Sequence, residues 1–174
     1  MDGKNILFCR MAIIGLWFFT VVQAVSEDGD VILGGLFNVH QFPAENSTGQ
    51  CGELDTKGLG RVMAMIFAIE TINQNSKLLP NITLGYDIRD YCENTTKAME
   101  MTFGLMKDKT CSNETCSKME MKSPIVALIG SFESRTALAI NGFLQMLEVP
   151  AISGTTTSPE LSSNTYKSFV SNSA

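Results

Sequence analysis

Apolar and polar positions switch between a period near two and a period near 3.6 along this chain, which divides it into elements. Residues 31–38, VILGGLFN, form a short β-prone apolar run whose glycines point to close backbone approach. A polar stretch, FPAENSTGQCGELDTKG, has loop composition. GRVMAMIFAIETINQN then places Val62, Met65, Ile66, Ala68, Ile69 and Ile72 on one helical face, with Glu70 and Asn73 outside it. ITLGYDIRDY alternates from Ile82 to about Asp90 and reads as a second strand. TTKAMEMTFGLMKD follows, with Met99, Thr102, Phe103 and Met106 at helical spacing and its methionines read as core or interface filler. SPIVALIG is a continuous apolar run of the kind expected in a buried parallel sheet. SRTALAINGFLQMLE predicts a third helix, with Ala137, Ile140, Leu144 and Leu147 on one side, and VPAIS a fourth strand. The order β-α-β-α-β-α-β predicts the α/β class, a parallel sheet flanked by helices.

That class says where a ligand goes. In open parallel sheets ligands sit beyond the carboxyl ends of the strands, where loops lead into helices. Two hydroxyl-rich loops leave strands at that edge. GSFESRT carries Ser131, Ser134 and Thr136, and SGTTTSPE carries Ser153, Thr155, Thr156, Thr157 and Ser158. Such side chains serve as turn and cap material. At a helix amino terminus they also suit an anion such as a carboxylate or phosphate. The two loops therefore read as halves of one anion-binding rim.

The amino-terminal stretch changes the compartment. Lys4 and Arg10 precede an apolar run, Met11 to Val22, and Val22-Gln23-Ala24 supplies small residues for a signal peptidase. The run is short for a membrane span, so residues 1–24 are expected to be a cleaved leader and 25–174 one domain; the alternative is an uncleaved anchor. A net charge of −5 argues against nucleic acid as a partner, which needs clustered Lys and Arg. Lys107, Lys109, Lys118 and Lys122 gather in one region, but acids lie between them and a solvated loop is the simpler reading. Of five cysteines, Cys9 lies in the leader, which leaves Cys51, Cys92, Cys111 and Cys116 as disulfide candidates in an oxidising compartment. A Cys51–Cys92 bridge would contribute about 4 kcal/mol through loop entropy. Cys111 and Cys116, in a polar stretch, either pair with each other or reach another subunit. His40 is the one histidine and no CxxC pair occurs, so no metal site is expected. Glycosylation sequons stand at Asn46, Asn81, Asn94 and Asn113.

Catalytic motifs are missing. The chain holds no GxSxG, no GxGxxG and neither GxxxxGKS nor GxxxxGKT. His40 has no motif around it, and Asp87 and Asp90 fall on opposite faces of an alternating strand. The expectation is a protein that is no enzyme and uses no cofactor.

Four ordered blocks carry a family resemblance: GDVILGGLFNVH, then CGELDTKGLGRVMAMIFAIETINQNSKLLPNITLGYDIRDYC, IVALIG, and VPAISGTTTSPELSS. Together, from about Gly29 to Phe169, they resemble the amino-terminal lobe of class C G-protein-coupled receptors, most of all the metabotropic glutamate and calcium-sensing receptors. The resemblance implies part of lobe 1 of a Venus-flytrap clamshell, a fold related to periplasmic amino-acid-binding proteins. It implies that an amino acid or related small molecule binds between two lobes of a dimer. It places Ser134 on the ligand's α-carboxylate, Thr155, Thr156 and Thr157 on its α-amino and carboxylate groups, and Arg61 on an acidic ligand side chain. It pairs Cys51 with Cys92 and puts Cys111 or Cys116 in the loop that carries an intersubunit disulfide.

Two departures from the family pattern turn this reading away from glutamate itself. Glu133 and Arg135 crowd a first loop that is usually neutral, and TKGLG before Arg61 supplies no aromatic. The second lobe, the cysteine-rich domain and the membrane helices that would reach a G protein are not in the sequence. The expected function is thus the ligand-binding lobe of a plasma-membrane receptor, as a fragment. The alternative is a secreted, truncated isoform that pairs with full-length receptor chains as a partner or decoy, through the helices beginning near Thr95 and Ser134. Such a chain would be secreted or retained in the endoplasmic reticulum. A solute-binding protein unrelated to signalling is a further reading.

Overall fold

The structure is a computed structural model and describes residues 24–44, 51–106, 125–154, 156, 161 and 169–171. Six strands form one sheet: β1 (Ala24–Glu27), β2 (Val31–Phe37), β3 (Leu84–Asp90), β4 (Ile125–Gly130), β5 (Ala151–Ser153) and β6 (Phe169–Ser171). Three helices connect them: α1 (Thr56–Gln74) between β2 and β3, α2 (Thr95–Met106) between β3 and β4, and α3 (Ser134–Met146) between β4 and β5. The strand order is β1-β3-β2-β4-β5-β6, with β1 antiparallel to β3 and every other pair parallel. The predicted α/β class and its element order hold. β1 and β6, four and three residues long, are edge strands that the apolar pattern does not announce.

Each face of the sheet has its own core. On one face α1 packs Val62, Met65 and Ile69 against Phe37, Tyr86 and Ile88. A Cβ on Gly35 would stand 2.8 Å from Ile88 and Phe37 and 3.1 Å from the Met65 sulfur, so the glycine lets α1 lie close. On the other face α2 and α3 pack Ala98, Leu105, Met106, Ile140 and Leu144 against Leu36, Ile125, Leu128 and Ala151. Each such aliphatic side chain contributes roughly 1.5–3 kcal/mol by leaving water. Ile152 pairs with Ile129 and Val170, so all three point to the α1 side, yet α1 packs mainly over β2 and β3. Ile152 and Val170 consequently stay 46% and 59% exposed.

The helix starts show how local chemistry sets boundaries. The predicted first helix begins at Gly60, whereas α1 begins at Thr56, because the Asp55 side chain accepts hydrogen bonds from the Lys57 and Gly58 backbones at 3.0 and 3.2 Å. TKGLG is therefore the first turn of a helix and not a loop. Asn94 caps α2 in the same way, accepting from Thr96 N at 2.9 Å and Lys97 N at 3.1 Å. The stretch before α1 also has order: His40 and Leu54 form an antiparallel bridge, and Gln41 N donates to Glu53 O at 2.8 Å. Cys51 and Cys92 form the disulfide that the resemblance implies.

Gly130 ends β4 with φ +124°, and a Cβ there would collide with the backbone of Leu36. Gly142, inside α3, has open space around it. Gly130→Ala is expected to lose about 1–3 kcal/mol from backbone strain alone. Gly142→Ala is expected to gain about 0.4–1 kcal/mol by restricting the unfolded chain. Urea unfolding of both variants measures the two signs, and a loss at Gly142 or none at Gly130 contradicts this backbone geometry.

Candidate functional site

Strands β2 to β5 point their carboxyl ends at one edge of the sheet. The residues that follow them meet there: Asn38 to His40 after β2, Tyr91 and Cys92 after β3, Ser131 to Glu133 after β4, and Gly154 and Thr156 after β5. Backbone bonds hold the loop starts in register, Tyr91 N to Phe37 O at 3.0 Å and Ser131 N to Leu36 O at 2.9 Å. Ser131 adopts φ +56°, which turns the chain sharply out of β4.

The two hydroxyl-rich loops touch. Ser153 Oγ donates to Ser131 O at 3.0 Å, with both side chains buried. Ser134 opens α3, and Thr136 in its first turn is fully buried, its hydroxyl 3.2 Å from both Glu133 Oε2 and Thr95 Oγ1. Glu133 occupies the cap position of α3 but makes no side-chain hydrogen bond to the helix backbone. The first N–H groups of α3 thus lack the side-chain cap that Asp55 and Asn94 give α1 and α2, and a helix start of this kind favours an anion. Thr156 is buried and its hydroxyl has no hydrogen-bond partner among the described residues. Thr155 and Thr157 lie outside the described residues, as do Cys111, Cys116, Asn46 and Asn113. Asn81 is exposed with a left-handed backbone, and Asn94 is partly buried as the α2 cap.

Arg61 belongs to the same edge. Its Nη1 donates to Asn38 Oδ1 at 3.2 Å, and its Cζ sits 4.4 Å from the centre of the Phe132 ring, a cation–π contact. Phe132 in turn stacks on Phe37 at 5.5 Å. Tyr91 is fully buried beneath, and its hydroxyl meets no partner in hydrogen-bond geometry among the described residues. Burial, then the nearby Glu133 charge, push the Tyr91 phenol up, against an opposing pull from Arg61. Burial likewise raises the Glu133 carboxyl, with hydrogen bonding by Thr136 opposing it. Asn38, Tyr91 and Phe132 are the rim residues that sequence reasoning missed. Phe132 lay in view within GSFESR, but an aromatic in a polar loop says nothing about what it will stack on.

The other candidates have local duties. Asp87 and Asp90 lie on opposite faces, as the alternation requires. Asp87 holds Arg89 at 2.7 and 3.0 Å, and Asp90 bonds to His40 Nδ1 at 2.5 Å and to Val39 N and Cys92 N at 2.9 and 3.0 Å. His40, Cys51 and Asp90 bring ligand-type atoms within 4.8 Å of one another. The Cys51 sulfur is bonded to Cys92, however, and the Lys97 ammonium stands 3.1 Å from both sulfurs. That cluster is a crosslink and does not fit a cation.

The raised Glu133 carboxyl has a thermodynamic consequence. The folded chain binds this proton more tightly than the unfolded chain, so the group's stabilising share is complete below the ordinary glutamate range. It is lost as pH rises through the raised value. Glu133→Gln removes that loss. Urea midpoints of the variant are therefore expected to gain on the wild type as pH rises above the ordinary glutamate range. A variant that falls behind above that range contradicts the burial of Glu133.

Comparison with known proteins gives the family. A family model described as the receptor family ligand binding region matches residues 60–173. Metabotropic glutamate receptor 8 of Rattus norvegicus is 36% identical over 193 aligned residues, covering 98% of this chain and 21% of that receptor. The Homo sapiens receptor 8 is 36% identical over 174 residues, covering 89% of this chain and 19% of its own length. Metabotropic glutamate receptor 4 of Rattus norvegicus is 36% identical over 159 residues, with coverage of 86% and 17%. The chain spans about one fifth of the length of these curated relatives. No helix among the described residues is long and apolar enough to cross a membrane. The matched family, the relatives and the parallel sheet with its loop edge agree: this chain belongs to the family of receptor ligand-binding regions, as a lobe of the class C G-protein-coupled receptor type.

Proposed function

We propose that the chain is the part of an extracellular receptor that first takes hold of an amino acid. Its α-carboxylate rests on the first turn of α3 at Ser134, and Thr155, Thr156 and Thr157 receive the α-amino and carboxylate groups. The observation that carries this reading is the union of two hydroxyl-bearing loops at one sheet edge, over a helix start that no side chain caps. Neutral hydroxyl and N–H donors hold a carboxylate without bringing a counter-charge into the site. The names of the relatives, metabotropic glutamate receptors, support an amino acid as the ligand class.

In the whole receptor, a second lobe closing over the ligand supplies the remaining contacts and shifts a dimer between two states. A membrane part then passes the change to a G protein. One lobe alone binds weakly, because half of the contacts come with closure. Ser134→Ala is expected to weaken amino-acid binding about tenfold, the worth of one hydrogen bond to a charged group, without moving the unfolding midpoint. Chemical-shift titration of the isotopically labelled chain with millimolar amino acids measures this. Unchanged affinity in the variant sinks the assignment of Ser134.

A second role rests on a separate observation. The outer side of α2 and α3 exposes Met99, Phe103 and Met146 at 38%, 50% and 69%, with Phe103 set 6.0 Å from Phe143. This apolar face supports pairing with another receptor lobe, as homodimer or heterodimer, and would let the chain act as a partner or decoy for receptor chains. Phe103→Asp is expected to abolish self-association in sedimentation at concentrations where the wild type dimerises. Dimers that survive the substitution put the contact elsewhere.

A further inference from the structure

The rim contains a carboxyl group where an acidic ligand would need a cation. Arg61 is the cation that the sequence offers there, and the protein already uses it: Asn38 accepts from it, and the Phe132 ring lies under it. Glu133 follows Phe132 directly, and Arg61 and Glu93 both act on its carboxyl group electrostatically. The Tyr91 hydroxyl feels the same three groups, so the charges gathered around it are two carboxylates and one guanidinium. Around the Tyr91 hydroxyl, next to the place where a ligand's side chain would meet Arg61, carboxylates thus outnumber the guanidinium.

We infer that Glu133 decides the charge of the ligand: the rim accepts an amino acid with an uncharged or basic side chain and rejects one with an acidic side chain. This rests on the reading of the rim as an amino-acid site. A second carboxylate reaching Arg61 comes beside the Glu133 carboxyl in a partly dry place, where like charges repel strongly. A side-chain amide of the same shape meets no such repulsion. The Tyr91 hydroxyl, buried beside the Glu133 carboxyl, can donate to the amide oxygen or accept from the amide nitrogen. The stacked Phe37 and Phe132 rings offer an apolar wall to the methylenes between.

L-Glutamine and L-glutamate differ in this charge at nearly constant shape, which makes them the probes. Both are titrated into the isotopically labelled full chain and into Glu133→Gln, followed by amide chemical shifts. The wild type is expected to bind L-glutamine about tenfold or more tightly than L-glutamate, and the variant to bring the two within about threefold. The amide introduced by Glu133→Gln keeps an oxygen that can accept from Thr136, and Glu133 caps no helix backbone, so the fold has no reason to fail. Glu133→Ser reads the same ratio if it does. Equal or tighter binding of L-glutamate by the wild type overturns the inference and leaves the amino-acid site standing. A preference that survives both substitutions overturns it too, since the discrimination then lies elsewhere. If neither amino acid shifts any resonance of the chain, the amino-acid site itself falls and the inference falls with it.

Discussion

The carboxylate of Asp90 is where the ligand edge of this lobe is tied together. It is the last residue of β3 and is 2% exposed. A buried carboxylate without partners would cost several kcal/mol, so its donors are not optional. They come from two segments: Val39 N, His40 N and His40 Nδ1 after β2, and Cys92 N after its own strand. The exits of β2 and β3 are thereby locked side by side. Cys92 carries the lock through the disulfide to Cys51, which lies shortly before the Asp55 cap that starts α1. Arg61 sits little more than one turn into that helix, so its place at the rim follows from Asp90 through covalent and capped steps.

The other half of the rim depends on backbone shape more than on charge. Gly130 and Ser131 both take positive φ, which swings the chain out of β4 and lets Ser131 N bond back to Leu36 O. The turn presents Phe132 to Arg61 and sets Glu133 at the mouth of α3. Ser153 then anchors the loop after β5 onto this turn. The two halves meet through Phe132, which touches both Phe37 and Arg61 of the first half. A ligand held across this seam would touch both halves at once.

Much of this was legible in the sequence, because the elements that form the core repeat with clean periods. Val62, Met65 and Ile69 face the sheet as their spacing requires, and Leu128 sits in the apolar run that reads as buried strand. Ala68, placed on the same face by the pattern, is exposed, and Met99 and Phe103 point outward although they are apolar. Periodicity says which residues share a face but not how far a neighbour covers it. β1 and β6 were invisible because an edge strand of three or four residues carries no pattern of its own. Of the candidate site, the two hydroxyl loops could be read, since a fold class fixes the edge where loops converge, whereas Arg61 came only through the family resemblance. The contacts of Arg61 could not, because Asn38 and Phe132 reach it only through the tertiary packing of separate loops.

The proposed function requires that an amino acid lie across this edge, with its carboxylate at the start of α3. A structure of the chain with an amino acid bound tests that most directly. The ligand carboxylate is expected at Ser134 and the first N–H groups of α3, facing the loop that holds Thr156. A ligand seated instead on the outer face of α2 and α3, or against the open face of β5 and β6, would contradict it.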